Sequence, residues 1–185
     1  MTCIVGLVDN GKVYMGGDSA GCAGFDLSIR ADQKVFKNDD FIMGFTTSFR
    51  MGQLLRYDFS PPKYHTDVDI YKYMVTDFIN EVRRCLKNGG YASKKDEEES
   101  AGTFLVGFKG QLFRICNDYQ VGQNILPFDA CGCGQSYALG SLHSTNETWG
   151  GFPKIDPQTR IEMALHTAQQ FSAGVREPFH IEILE

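Results

Sequence analysis

The sequence predicts an α+β fold in which two antiparallel sheets pack together and are covered by helices. Three observations carry this. Two apolar strand pairs are each closed by a tight turn, one at Asp9-Asn10-Gly11 and one at Lys109-Gly110. Two long segments, from Asp67 to Leu86 and from Pro157 to Phe171, space their apolar residues as helices do. The chain order runs strands, helices, strands, helices and a last strand, the order expected of layered sheets and helices.

Residues 3–8 (CIVGLV) and 12–17 (KVYMGG) flank Asn10-Gly11, residue types suited to the φ > 0 that a two-residue hairpin turn demands. Strands follow at 33–37 (QKVFK) and 41–47 (FIMGFTT), joined by Asn38-Asp39-Asp40, so four strands precede any long helix. A short helix is expected from Phe49 to Tyr57, stopped by Pro61-Pro62. From Asp67, the positions Ile70, Met74, Phe78, Val82 and Leu86 lie within an i, i+3, i+4 pattern that ends at Gly89-Gly90. The charge run 93–100 (SKKDEEES) reads as a solvated loop. A second hairpin pairs 103–108 (TFLVGF) with 111–116 (QLFRIC), and a strand is expected at 128–133 (FDACGC). Helices over Ser136 to Ser144 and Pro157 to Phe171 precede a closing strand at 179–184 (FHIEIL).

The 185 residues have the length of one domain, expected to span 1–185, and the 42% hydrophobic and 22% charged composition is that of a globular protein. A net charge of −5 with scattered basic residues leaves no footprint for nucleic acid. The amino terminus lacks the pattern of a signal peptide, and no apolar run approaches the ~20 residues that span a bilayer. A soluble, cytoplasmic protein without membrane association is expected. In that setting the six cysteines read as free thiols. Cys131-x-Cys133 is at most half of a metal pair, better explained as a buried strand-to-helix turn. The four histidines are isolated in sequence, and neither metal nor cofactor is expected.

The residue that draws attention chemically is Thr2. Removal of Met1 makes it an amino-terminal residue with a hydroxyl nucleophile and its own α-amine, whose reference pKa of about 7.7–8.0 suits a general base. While Met1 is attached, that amine is locked in a peptide bond and the chain is unprocessed. An inert hydroxyl needs a nearby cation as well, and Lys34 is the candidate, held by Asp18 at the end of the second strand through a charge-assisted hydrogen bond. Taken singly, each is ordinary: Thr favours strands, Asp favours turns and Lys is usually solvated.

Asp18 follows Thr2 by 16 residues and Lys34 follows it by 32. Those separations, the opening TCIVGLVDNGKVYMGGDSA, the Lys34-Val35 and Gly44-Phe45 segments and the GCGQSYA stretch (132–138) resemble the proteasome β-type, HslV-like family of N-terminal nucleophile hydrolases. The resemblance spans essentially the whole chain. It implies a four-layer αββα sandwich, cleavage of peptide or protein substrates by Thr2 with Lys34 and Asp18, assembly into a homo-oligomeric ring, and an ATPase unfoldase as a possible partner. The helix from Asp67 to Leu86, with apolar residues on more than one stripe, is the expected contact element.

Matched to the family's pattern, Thr47-Ser48 takes the place of the Gly-Gly whose backbone approaches the substrate oxyanion. Cys133 takes the place of a helper serine between two glycines. Gln169 replaces the acid of an Asp-x-x-Ser motif whose serine is kept as Ser172, and Ser19 stands next to Asp18. These replacements also leave open a noncatalytic ring or scaffold subunit. Use of Cys3 as an amino-terminal nucleophile would spoil the match to Asp18 and Lys34.

Overall fold

The computed structural model describes residues 1–95, 98–146 and 154–185. Strands β1 (Cys3–Asp9), β2 (Lys12–Gly17), β3 (Ala20–Ala23), β4 (Asp26–Ile29), β5 (Val35–Asn38) and β6 (Phe41–Phe45) come first. Helices α1 (Phe49–Tyr57), α2 (Ile70–Tyr73) and α3 (Ile79–Asn88) follow, the last two joined by a π-helical stretch, Met74–Phe78. Next come β7 (Ser93–Lys95), β8 (Glu98–Ser100), β9 (Phe104–Phe108), β10 (Gln111–Ile115), β11 (Val121–Gly122) and β12 (Phe128–Gly132). Helices α4 (Gln135–Ser144) and α5 (Pro157–Phe171) and strand β13 (His180–Leu184) complete the described elements.

Side-chain alternation decides the layering, because successive residues of a strand face opposite sides of its sheet. One antiparallel sheet has the order β12-β1-β2-β13 and the other the order β11-β10-β9-β6-β5. From β1, Cys3, Val5 and Leu7 pack under α4 and α5 with Ala138, Leu142, Ile161 and Leu165. Ile4, between them, joins Val13, Ile42, Leu105 and Cys131 in the seam between the sheets. From β6 and β9, Phe41, Met43, Phe104 and Val106 face the other way, against Met51, Leu55, Phe78 and Val82 of the first helical layer. The layers are therefore helix, sheet, sheet, helix, the expected αββα order.

The seam is tight because glycines stand in it. A Cβ on Gly44 would lie 2.5 Å from Ile4 Cγ2, and one on Gly107 would lie 2.6 Å from Val13 Cγ1, each across the seam. The turn residues behave as their chemistry demands: Asn10 and Gly11 have φ of 48° and 76°, and Lys109 and Gly110 have 48° and 71°.

Three expectations are corrected. The hairpin β3–β4 lies where no strand was expected, so six strands precede α1. Phe25, Leu27 and Ile29 alternate there with Asp26 and Ser28 as a strand's residues do, a signal the expectation passed over, although all three apolar side chains are exposed. The segment 93–100 pairs as the hairpin β7–β8 rather than forming a loop, with Asp96 and Glu97 outside the described residues. The helix expected from Asp67 starts at Ile70, because the Asp69 carboxylate caps it by accepting from the Lys72 N–H at 2.9 Å, and it widens into the π stretch midway. Among the described residues no helix is long and apolar enough to cross a membrane.

Candidate active site

Thr2 stands immediately before β1, Asp18 immediately after β2 and Lys34 immediately before β5, so strand ends from both sheets meet at one edge of the sandwich. The β1–β2 register sets Ile4 opposite Gly17, which brings Asp18 beside Cys3. Gly17 admits the other sheet: a Cβ there would lie 2.8 Å from Ile4 Cδ1 and 3.0 Å from Val35 Cγ2, so a side chain would push β5 and Lys34 away.

Lys34 Nζ donates to Thr2 Oγ1 at 2.9 Å and to Asp18 Oδ1 at 2.8 Å. All three residues are buried, with Lys34 and Asp18 each 1% exposed. Burial pushes the Lys34 ammonium below its ordinary pKa of 10.5, and the Asp18 carboxylate opposes that shift. Asp18 also accepts from the Cys3 and Ala20 N–H groups at 2.9 Å and from the Arg176 N–H at 3.3 Å. A carboxylate with four donors is fixed in place, and it fixes the lysine in turn.

On the other side of Thr2, its N–H donates to Cys133 Sγ at 3.3 Å, and the Ser172 hydroxyl donates to the same sulfur at 3.2 Å. The Thr2 carbonyl accepts from the Gly134 N–H at 3.3 Å. A Cβ on Gly132, whose φ is +99°, would lie 2.2 Å from that carbonyl oxygen, so only glycine fits the turn. While Met1 is attached, the Thr2 hydroxyl donates to the Met1 carbonyl. Cys133 is exposed rather than buried as the turn reading had it, because the turn after β12 lifts it out while Cys131 stays in the seam.

Thr2, Asp18, Lys34, Cys133 and Ser172 thus form one connected set. Ser19 turns away from Thr2: its hydroxyl donates to the Pro178 carbonyl at 2.6 Å and its N–H to the Arg176 carbonyl at 2.8 Å, tying down the segment that donates to Asp18. Gln169 clasps the same segment, donating to Glu177 Oε1 at 2.9 Å and accepting from the Glu177 N–H at 2.8 Å. The donation from the Arg176 backbone has no side-chain signature, so nothing in the sequence could have announced it.

Thr47 and Ser48 line a cleft of about 60 Å³ beside Thr2, together with Cys22, Phe45 and Phe49. Larger hollows, of about 360 and 570 Å³, lie away from it, around Pro61–Tyr64 and around Asp58 and Asn88. Thr47 has φ of +68°, a strained value for a β-branched residue. The Ser48 N–H is engaged by the Thr46 carbonyl at 2.7 Å, and the Ser48 hydroxyl caps α1 by accepting from the Arg50 N–H at 3.1 Å. Among the described residues no group of three or more His, Cys, Asp or Glu side chains converges as a metal site.

The layering and strand order define a fold class, a four-layer α+β sandwich of two antiparallel sheets between helices. Comparison with solved structures narrows this to the HslV-like fold. BPH of Thiobacillus denitrificans, also solved in complex with epoxomicin, superposes with a TM-score of 0.78 at 18% identity, over 100% of this chain and 98% of that one. Eukaryotic HslV from Trypanosoma brucei gives 0.69 at 16% identity over 100% and 99%, and Anbu (ancestral beta-subunit) from Yersinia bercovieri gives 0.66 at 14% over 99% and 81%. No family model matches the sequence, and no curated protein matches it.

Proposed function

We propose that this chain is a threonine peptidase or amidase in which Thr2, freed by removal of Met1, is the nucleophile. The observation that carries the reading is the buried Lys34 ammonium, 2.9 Å from Thr2 Oγ1 and held by Asp18. A hydroxyl beside a fixed cation has its developing negative charge stabilised, and the α-amine of the same residue supplies the base. Thr2 Oγ attacks the scissile carbonyl and passes its proton to the amine, directly or through a water. Collapse of the tetrahedral adduct returns that proton to the leaving amine and leaves an ester on Thr2. Water, deprotonated by the same amine, then hydrolyses the ester and regenerates the hydroxyl. In this reading Asp18 orients Lys34, and Cys133, whose sulfur accepts from the Thr2 N–H and from the Ser172 hydroxyl, holds the amine. The solved complex of BPH with epoxomicin supports hydrolase chemistry on this fold.

The same reading includes a cytoplasmic homo-oligomeric ring acting on peptides or unfolded proteins, with an ATPase unfoldase as feeder. Tyr71 and Val75, exposed on α2 and the π stretch, support that region as a contact. Sedimentation of a monomer at micromolar concentration would remove the ring from the reading.

One observation favours a second reading, a noncatalytic ring or scaffold subunit: the Ser48 N–H, at the position matched to the family's oxyanion donor, is already engaged by Thr46. Protein engineered to begin at Thr2 separates the two. The peptidase reading expects hydrolysis of small peptide amides that Thr2→Ala abolishes. Inert Thr2-initiated protein with its oligomer intact would make the scaffold reading the better one.

A further inference from the structure

A hollow of about 430 Å³ shares no lining residue with the cleft beside Thr2, and three irregular features meet at it. Its wall includes Tyr119, 8% exposed, whose buried hydroxyl has no hydrogen-bond partner among the described residues. Burial raises that phenol above its ordinary pKa of 10.0, so the hydroxyl stays protonated and is a donor without an acceptor, which is costly to bury. Tyr119 is also held at a φ of +66°, strained for an aromatic residue. The turn that holds it there is closed by two bonds: the Tyr119 N–H donates to the Cys116 carbonyl at 3.0 Å, and the Cys116 N–H to the Gln120 carbonyl at 2.9 Å. Val75 of the π stretch and Ile79, where α3 resumes, form a further part of the border, and such widened turns recur at functional sites.

The other bordering groups fix the sign of a ligand. Arg83 is already engaged, donating to Glu99 Oε2 at 3.0 and 2.8 Å and to Asn80 Oδ1 at 3.3 Å. Asp118 accepts from the Gln120 N–H through Oδ1 at 3.1 Å, which leaves Oδ2 for a ligand. Two carboxylates against one guanidinium favour a cation, and Val75 and Ile79 favour an aliphatic group on it. We infer that the hollow binds the amino-terminal residue of a peptide with an aliphatic side chain there: its ammonium pairs with Asp118, its carbonyl accepts from the Tyr119 hydroxyl, and its side chain packs on Val75 and Ile79. Arg83 covers the Tyr119 ring, with its guanidinium 5.9 Å from the centroid, but its pair with Glu99 is partly exposed and worth little, so it yields to an arriving carbonyl. A carboxy-terminal residue fits worse, because its charge would meet Asp118 and Glu99 with a guanidinium that is already paired. The site lies beyond the chemistry proposed at Thr2 and stands without it.

The test uses the full chain with Met1 retained, so that nothing depends on turnover, and leucinamide, which carries all three recognised groups. Titration calorimetry should show one equivalent bound per chain, and soaked crystals should place it against Asp118 and Tyr119. N-acetyl-leucinamide lacks the ammonium, glycinamide lacks the side chain, and leucine adds a repelled carboxylate; each should bind about tenfold more weakly or worse. Tyr119→Phe should weaken leucinamide about tenfold yet unfold at no lower urea concentration than the parent, because a hydroxyl without a partner adds nothing to the free fold. A merely structural tyrosine would do the reverse. Asp118→Asn keeps an acceptor for the Gln120 N–H and should erase the preference for leucinamide over its acetylated form, which decides the matter if Tyr119→Phe does not fold. Leucine binding as tightly as leucinamide would give the hollow to free amino acids and overturn the peptide assignment. Leucinamide bound elsewhere, not bound at all, or bound with full affinity by Tyr119→Phe would overturn the inference.

Discussion

The two halves of the site are built on opposite terms. Around Asp18 and Lys34 every charge is buried and partnered: the carboxylate takes four donors, and the ammonium touches both the carboxylate and Thr2. Around Thr47 and Ser48 the chain is partly exposed, Thr47 is strained, and the Ser48 N–H is spent within its own turn. A buried ion pair is a poor way to gain stability, since an apolar replacement of the same shape is often as good. A loop can change its backbone at little cost. The half that is expensive to keep stands beside the Thr2 hydroxyl, and that placement supports the proposed chemistry there.

The largest effect that can break this contrast is on rate. Lys34→Ala should slow any reaction of the Thr2 hydroxyl by orders of magnitude, measured as probe addition to Thr2-initiated protein. A rate within tenfold of the parent would show the buried half to be structural only. Next comes stability: Asp18→Ala leaves the Lys34 ammonium buried and unpaired, and should cost about 3–5 kcal/mol in urea unfolding.

A pH profile sharpens the same half. Reaction should rise through about pH 7–8 as the Thr2 amine loses its proton. Because burial lowers the Lys34 pKa, its protonated form is lost sooner than in a free lysine, so the alkaline fall should begin below the ordinary value of 10.5. The smallest effect belongs to the loop. Thr47→Gly relieves a positive φ but removes the hydroxyl that accepts from the Thr103 N–H at 3.2 Å, so stability should move by no more than about 1 kcal/mol. Any rate change in that variant then measures the loop directly.

Legibility followed the same division. Asn10-Gly11 and Lys109-Gly110 declared their hairpins because few other residues accept those dihedrals, and α1 and α5 have the bounds their periodicity and stop signals indicate. The β3–β4 hairpin was legible but missed: Phe25, Leu27 and Ile29 alternate with Asp26 and Ser28 in period 2, on a strand whose side chains are exposed rather than buried in the core. The π stretch was silent, because widening a helix by one residue leaves the apolar spacing nearly unchanged. At the site, Thr2, Asp18 and Lys34 were grouped through the family resemblance that their separations carry, and the structure brings them within hydrogen-bond distance. Arg176 was not among them, because it acts through its backbone from the far end of the chain.

The most direct measurement is the intact mass of Thr2-initiated protein after exposure to a peptide epoxyketone, with the modified residue located by fragmentation. The probe closes its ring only on a residue bearing both a hydroxyl and a free amine. One equivalent added at Thr2, absent from Lys34→Ala on the same timescale and absent when Met1 is retained, is the expected result. Unmodified Thr2 in correctly folded, fully processed protein would contradict a nucleophilic role for this residue.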